Sequence, residues 1–288
     1  MKPHFWSLLA CALFASIPIL QAGAAERVIE DEAYVEAFVR ASDLLAESWS
    51  FEAGVAGDES GMGFSFPPSG EAIVSSAENL YRDCLPAVVL VGSVYQCDKC
   101  SKWHHGGFAG GWIASPEGHV VTNHHVVEKK RTQRLGVMTL DGRVYSVDSL
   151  CASDPAADVA VVKIDPAGEK LPFLRLAENV KPGDAVVALS HPGGRLWYLS
   201  KGVVSRFSRG DEDGGPVWMN ITADYAVGSS GCPVLNESGA VVGMVSRTST
   251  IFTGPSGGES TACKATQGSP QMVVKECAPL SALKRIGD

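Results

Sequence analysis

From Pro86 onward the chain is a succession of short runs rich in Val, Ile and aromatic residues, broken at close intervals by Gly, Pro, Asn and Asp. Runs of this length and spacing specify strands joined by turns, and therefore an all-β architecture of the barrel or sandwich type. Asp141-Gly142, set between two such runs, is a hairpin signal, because these residue types accept the positive φ of a tight primed turn. A composition of 45% hydrophobic and 19% charged residues over 288 positions is ordinary for a globular protein, and leaves room for two small β-domains.

The segment ahead of Pro86 has a different pattern. Ala33, Val35, Phe38, Val39, Leu44 and Leu45 trace an approximate helical face across Glu30–Glu47. Residues 51–70 are rich in Gly, Ser and Pro and read as a linker, and a second helix is expected over Glu71–Cys84. Lys2, an apolar stretch from Phe5 to Leu20, and the small residues Ala22-Gly23-Ala24-Ala25 read as a cleaved secretory signal. Pro18 interrupts that stretch, which falls short of the roughly 20 apolar residues needed to span a bilayer. The expected division is therefore a signal at 1–24, a helical and linker extension at 25–84, and the β-rich body at 85–288. Export places the protein in a secreted or periplasmic, oxidising setting. The formal charge of -8 argues against nucleic acid or an anionic membrane surface as a partner, and leaves the oligomeric state open.

Three segments within the body carry chemistry: Thr122-Asn123-His124-His125, Asp158 just before Val159-Ala160-Val161-Val162, and Gly228-Ser229-Ser230-Gly231. Histidine, aspartate and serine in that chain order are what a hydrolytic triad needs, and few chain orders are known to build one. The glycines around Ser230 let the backbone turn sharply and aim N–H groups at one spot.

This ordered set resembles the chymotrypsin-fold (trypsin-like) serine proteases, and among them the HtrA (Deg) type. The likeness runs from about Leu85 to Ile286 and includes Trp112-Ile113-Ala114, Leu189-Ser190-His191-Pro192-Gly193-Gly194, Gly202-Val203-Val204-Ser205 and Gly239-Ala240-Val241-Val242-Gly243-Met244-Val245-Ser246. It implies two six-stranded antiparallel β-barrels, at about 85–165 and 166–288, with an N-terminal helical extension and a C-terminal helix over Leu280–Ile286. The first barrel would use Ala87–Tyr95, Gly107–Ala114, His119–Asn123, Arg134–Thr139, Val144–Ala152 and Val159–Ile164. Seven runs are candidates for the six strands of the second: Phe173–Leu176, Ala185–Leu189, Tyr198–Phe207, Val217–Thr222, Pro233–Asn236, Val241–Ser246 and Gln271–Cys277. The sequence stops after the last helix, so the peptide-binding PDZ domain that usually follows in HtrA relatives is not expected.

The resemblance implies an endopeptidase acting on protein or peptide substrates without a cofactor. His125 would be the base, with His124 facing away; Asp158 would fix its tautomer; Ser230 would be the nucleophile; and the backbone N–H groups of Gly228 and Ser230 would bind the oxyanion. Asp224, six residues before Ser230, is a candidate for the pocket floor, and Ser246 for the pocket wall. Cys232 departs from the family's glycine. It reads as a small buried residue or as a disulfide partner of Cys263 or Cys277, and it supports a rival reading as a catalytically impaired pseudoprotease that binds peptides. Eight cysteines less Cys11 of the signal leave an odd number, so at least one is free, metal-bound or intermolecular. Cys97-Asp98-Lys99-Cys100 with His104 reads first as a disulfide or structural loop, second as a metal site, since a closed zinc site needs four ligands, and third as a redox thiol pair.

Overall fold

The computed structural model describes residues 28–45, 64–69, 79–100, 102–128, 133–210, 214–253 and 269–287. The expected signal at 1–24 and most of the expected linker lie outside them, as does the start of the second expected helix. The helical face read from the sequence forms α1 (Asp31–Leu45), and the visible end of the second helix is α2 (Leu80–Cys84).

Twelve strands follow. In the first barrel they are β1 (Val88–Gln96), β2 (Trp103–Ile113), β3 (His119–Thr122), β4 (Gln133–Met138), β5 (Val144–Asp154) and β6 (Val159–Ile164), with a single-turn helix α3 (His124–Val127) after β3. The second barrel has β7 (Ala185–Ser190), β8 (Tyr198–Arg209), β9 (Val217–Ile221), β10 (Pro233–Leu235), β11 (Val241–Phe252) and β12 (Pro270–Pro279), and the chain continues into α4 (Leu280–Ile286). All pairings between these strands are antiparallel, and the sheets close in the orders β1-β2-β3-β6-β5-β4 and β7-β8-β9-β12-β11-β10. Closure leaves no unpaired sheet edge around either barrel. Phe173–Leu176, expected as a strand, belongs to neither barrel: Leu174 N–H donates to Ile113 O, and Leu176 makes only an isolated bridge to Val241.

The pleat sorts side chains between two interiors. Val89 and Val91 of β1, with Ala160, Val162 and Ile164 of β6, fill the first barrel. Their alternates Val88, Leu90, Val159 and Val161 join the larger core that contains the second barrel and α1. Both faces of these strands are buried, which explains their nearly continuous apolar sequence. Phe38 of α1 is fully buried, and a Cβ on Gly92 would lie 2.3 Å from its ring, so that glycine is what admits the helix.

Candidate active site

The three chemical segments meet where the barrels face each other. Asn123 ends β3 and, through its side-chain N–H, donates to the Asp158 carbonyl at 2.8 Å, tying the start of α3 to the start of β6. His125 then presents two donors to one carboxylate. Its backbone N–H donates to Asp158 Oδ1 at 3.0 Å, and Nδ1 lies 2.9 Å from Oδ2 and 3.0 Å from Oδ1. A carboxylate on that side places the ring proton on Nδ1 and leaves Nε2 as the acceptor. The His125 side chain is 50% exposed and that of Asp158 16%, so the imidazole is open to solvent while its partner is shielded.

Asp158 holds a backbone φ of 57°, a left-handed conformation that few residues other than Gly and the Asx pair adopt. Ser246 Oγ donates to its Oδ2 at 2.5 Å. Burial raises the pKa of this carboxyl, but hydrogen bonds from the His125 ring, the Ser246 hydroxyl and the His125 backbone outweigh it and hold Asp158 below its ordinary value. It is therefore an anion at neutral pH. Ser246, expected in the pocket wall, thus sits behind Asp158. His124 turns the other way, to Ser153 Oγ at 2.6 Å and Glu128 at 3.0 Å.

Ser230 lies in the turn between β9 and β10. Its carbonyl accepts Gly110 N–H of β2 at 2.7 Å, a link across the two barrels, and its hydroxyl donates to Ser246 O at 3.4 Å. No hydrogen bond joins Ser230 to His125 among the described residues, so Ser230, Ser246, Asp158 and His125 form a chain rather than a direct relay. Rotation of the Ser230 side chain about χ1 redirects its hydroxyl without moving the backbone.

Ahead of the serine, Gly228 has φ 95°, and a Cβ there would stand 2.7 Å from His191 O, so only glycine fits. Val227 O accepts Gly193 N–H at 2.7 Å. In a trans peptide the N–H points opposite the carbonyl, so Gly228 N–H is turned away from Gly193. Neither Gly228 N–H nor Ser230 N–H donates to another group among the described residues.

The loop that backs this turn is part of the family likeness, but His191 within it has no role legible in the sequence. His191 is fully buried; it accepts Trp197 N–H on Nδ1 at 2.9 Å and donates from Nε2 to Val89 O of β1 at 3.1 Å. Burial keeps it neutral, with its pKa lowered to about 4. Nothing in the local sequence signals a carbonyl partner on β1.

Asp224, expected at a pocket floor, has an 83% exposed side chain paired with Lys275 Nζ at 2.8 Å. It borders a depression with Pro192, Gly193, Tyr198, Tyr225 and Ala226. The interior position next to it belongs to Tyr225, whose hydroxyl lies 2.9 Å from Arg247 O and 3.0 Å from Glu276 O. Cys232 is fully buried, and Cys84, Cys97, Cys100, Cys151, Cys232 and Cys277 are free thiols; Cys263 lies outside the described residues. Burial pushes the Cys232 thiol well above its ordinary pKa, so it packs as a neutral, inert group.

Two closed six-stranded barrels, with a histidine, a half-buried aspartate and a glycine-flanked serine at their seam, define a chymotrypsin-type fold. Residues 109–244 match the model of the trypsin-like peptidase domain family. Within it, the chain is similar to a protein named "Probable periplasmic serine endoprotease DegP-like" from Chlamydia trachomatis serovar D, at 37% identity over 46% of this chain and 27% of the relative. "Serine protease HTRA1" of Xenopus laevis is 37% identical over 46% of this chain and 30% of its own length. A DegP-like relative from Brucella suis is 35% identical over 51% and 28% respectively. The matched stretch is thus less than a third of each relative.

Proposed function

We propose that the protein is an exported serine endopeptidase that works through an acyl-enzyme. The observation that carries this reading is the grip of the Asp158 carboxylate on both the backbone and the ring of His125, with Ser246 joining that carboxylate to Ser230. In the reaction Ser230 Oγ turns from Ser246 O to His125 Nε2, gives up its proton there and attacks the peptide carbonyl. Asp158 stabilises the imidazolium, which then protonates the departing amine. The N–H groups of Gly228 and Ser230 hold the oxyanion, each worth about 3 kcal/mol in comparable sites. Water enters by the same base catalysis and releases the acid. Export rests on the character of residues 1–24 and agrees with the word "periplasmic" in the names of the relatives.

The test is hydrolysis of unfolded casein together with labelling by a fluorophosphonate. Both are expected of the folded, processed protein and both should vanish in Ser230→Ala. Cleavage that survives this substitution sinks the reading. The direction of the Ser230 hydroxyl, toward Ser246 O, favours one rival, a peptide-binding pseudoprotease. Absence of labelling in the wild type, with peptide binding intact in Ser230→Ala, is the result that selects it.

A further inference from the structure

The hairpin joining β1 to β2 places two thiols and an imidazole at one point. Cys97 Sγ, Cys100 Sγ and a ring nitrogen of His104 all lie within 4.8 Å of one another. His104 Nε2 is 3.1 Å from Cys100 Sγ. The imidazole stands opposite Tyr95 in the ladder and stacks on its ring at 5.8 Å, which fixes its plane.

The turn is closed by a backbone hydrogen bond, from Cys97 N–H to Lys102 O at 2.8 Å. Thiolate sulfur is the form of cysteine that binds metal. A tetrahedral site with bonds of about 2.3 Å to sulfur and about 2.0 Å to nitrogen sets its ligand atoms roughly 3.5–3.8 Å apart. All three atoms lie within 4.8 Å of one another and the Cys100–His104 pair at 3.1 Å, so side-chain adjustments of about an ångström bring them to that span.

We propose that Cys97, Cys100 and His104 bind one Zn2+ ion at the tip of the β1–β2 hairpin, with the fourth position open to water. Binding displaces the thiol protons to solvent, forms two Zn–S bonds and one Zn–N bond, and involves no change of oxidation state. The sequence pattern alone favours a disulfide between the two cysteines. A disulfide, however, leaves the approach of His104 to Cys100 without a purpose, whereas a metal uses all three groups. The proposal is independent of the hydrolytic reading, since no residue is shared.

The experiment is titration of the reduced, chelator-treated full chain with Co2+, followed by Zn2+, with a parallel measurement of bound metal. One equivalent of Co2+ is expected, with the visible bands of tetrahedral thiolate coordination, and Zn2+ should displace it. Cys97→Ser and Cys100→Ser should abolish the bands, and His104→Ala should weaken binding, while circular dichroism of each variant stays that of the wild type. These positions are on a turn and an exposed strand face, so folding is not at issue. Reduced protein that takes up no Co2+, or uptake unchanged in Cys97→Ser, overturns the assignment.

Discussion

At the scale of single residues, Ser246 uses its two polar ends differently: the hydroxyl bonds Asp158 and the carbonyl accepts from Ser230. Ser246→Ala removes only the first. A hydrogen bond to a charged group is worth about 1.5–3 kcal/mol, so kcat should fall by roughly ten- to a hundredfold with KM little changed. Steady-state kinetics on a peptide substrate checks this, and a rise in KM with kcat intact would assign Ser246 to binding. The Cys232 problem is also local. A Cβ on Gly110 would lie 2.0 Å from Cys232 Sγ, so the thiol fills the space that a side chain on β2 would need. Gly110→Ala should therefore cost about 1–3 kcal/mol in urea unfolding, and adding Cys232→Ala should return much of it, because the pair shares one volume. Strict additivity of the two changes would show that they do not touch.

Among the elements, α1 is held by few but specific contacts. The Tyr34 hydroxyl donates to Leu140 O at 2.8 Å, Asp31 accepts Leu196 N–H at 2.9 Å, and Phe38 lies edge-on to Phe108 at 5.2 Å. Phe38→Ala empties the seat over Gly92, a loss of about 3–5 kcal/mol for a buried aromatic. Amides of residues 31–45 should then exchange much faster, while β6 stays protected; equal loss of protection in both would make α1 part of a single cooperative unit. This helix and most strands were legible in the sequence because each is a run with its own period: β6 begins and ends where Val159–Ile164 does. Phe173–Leu176 has the composition of a strand, but both barrels close without it, and composition does not record whether an edge is available. The positions of His125, Asp158 and Ser230 could be read from residue type and order. The roles of Ser246, His191 and Tyr225 could not, since each depends on a partner carbonyl or carboxylate brought in from another element.

Across the whole molecule, the two barrels are clasped by a few hydrogen bonds that cross between them. Trp197 Nε1 donates to Val88 O at 2.9 Å and His191 Nε2 to Val89 O at 3.1 Å, so a loop of the second barrel is fastened to the first strand of the first. The clasp depends on a neutral imidazole, since Nδ1 must remain an acceptor for Trp197 N–H. In the folded state His191 stays uncharged down to about pH 4, whereas in the unfolded chain it takes a proton near 6.5. Between those values the unfolded chain binds more protons, so stability falls as pH is lowered; above the unfolded value both states are neutral and the contribution is constant. The gap corresponds to a loss of about 3 kcal/mol at its full extent. Asp158, whose carboxyl lies below its ordinary value, adds its own loss only at still lower pH. Urea unfolding at steps from pH 7.5 to 4.5 should therefore show falling stability in the wild type and a shallower slope in His191→Gln, which starts less stable but has no imidazole to protonate. Parallel slopes for the two proteins would mean that His191 takes a proton without opening the clasp, and that acid sensitivity has another source.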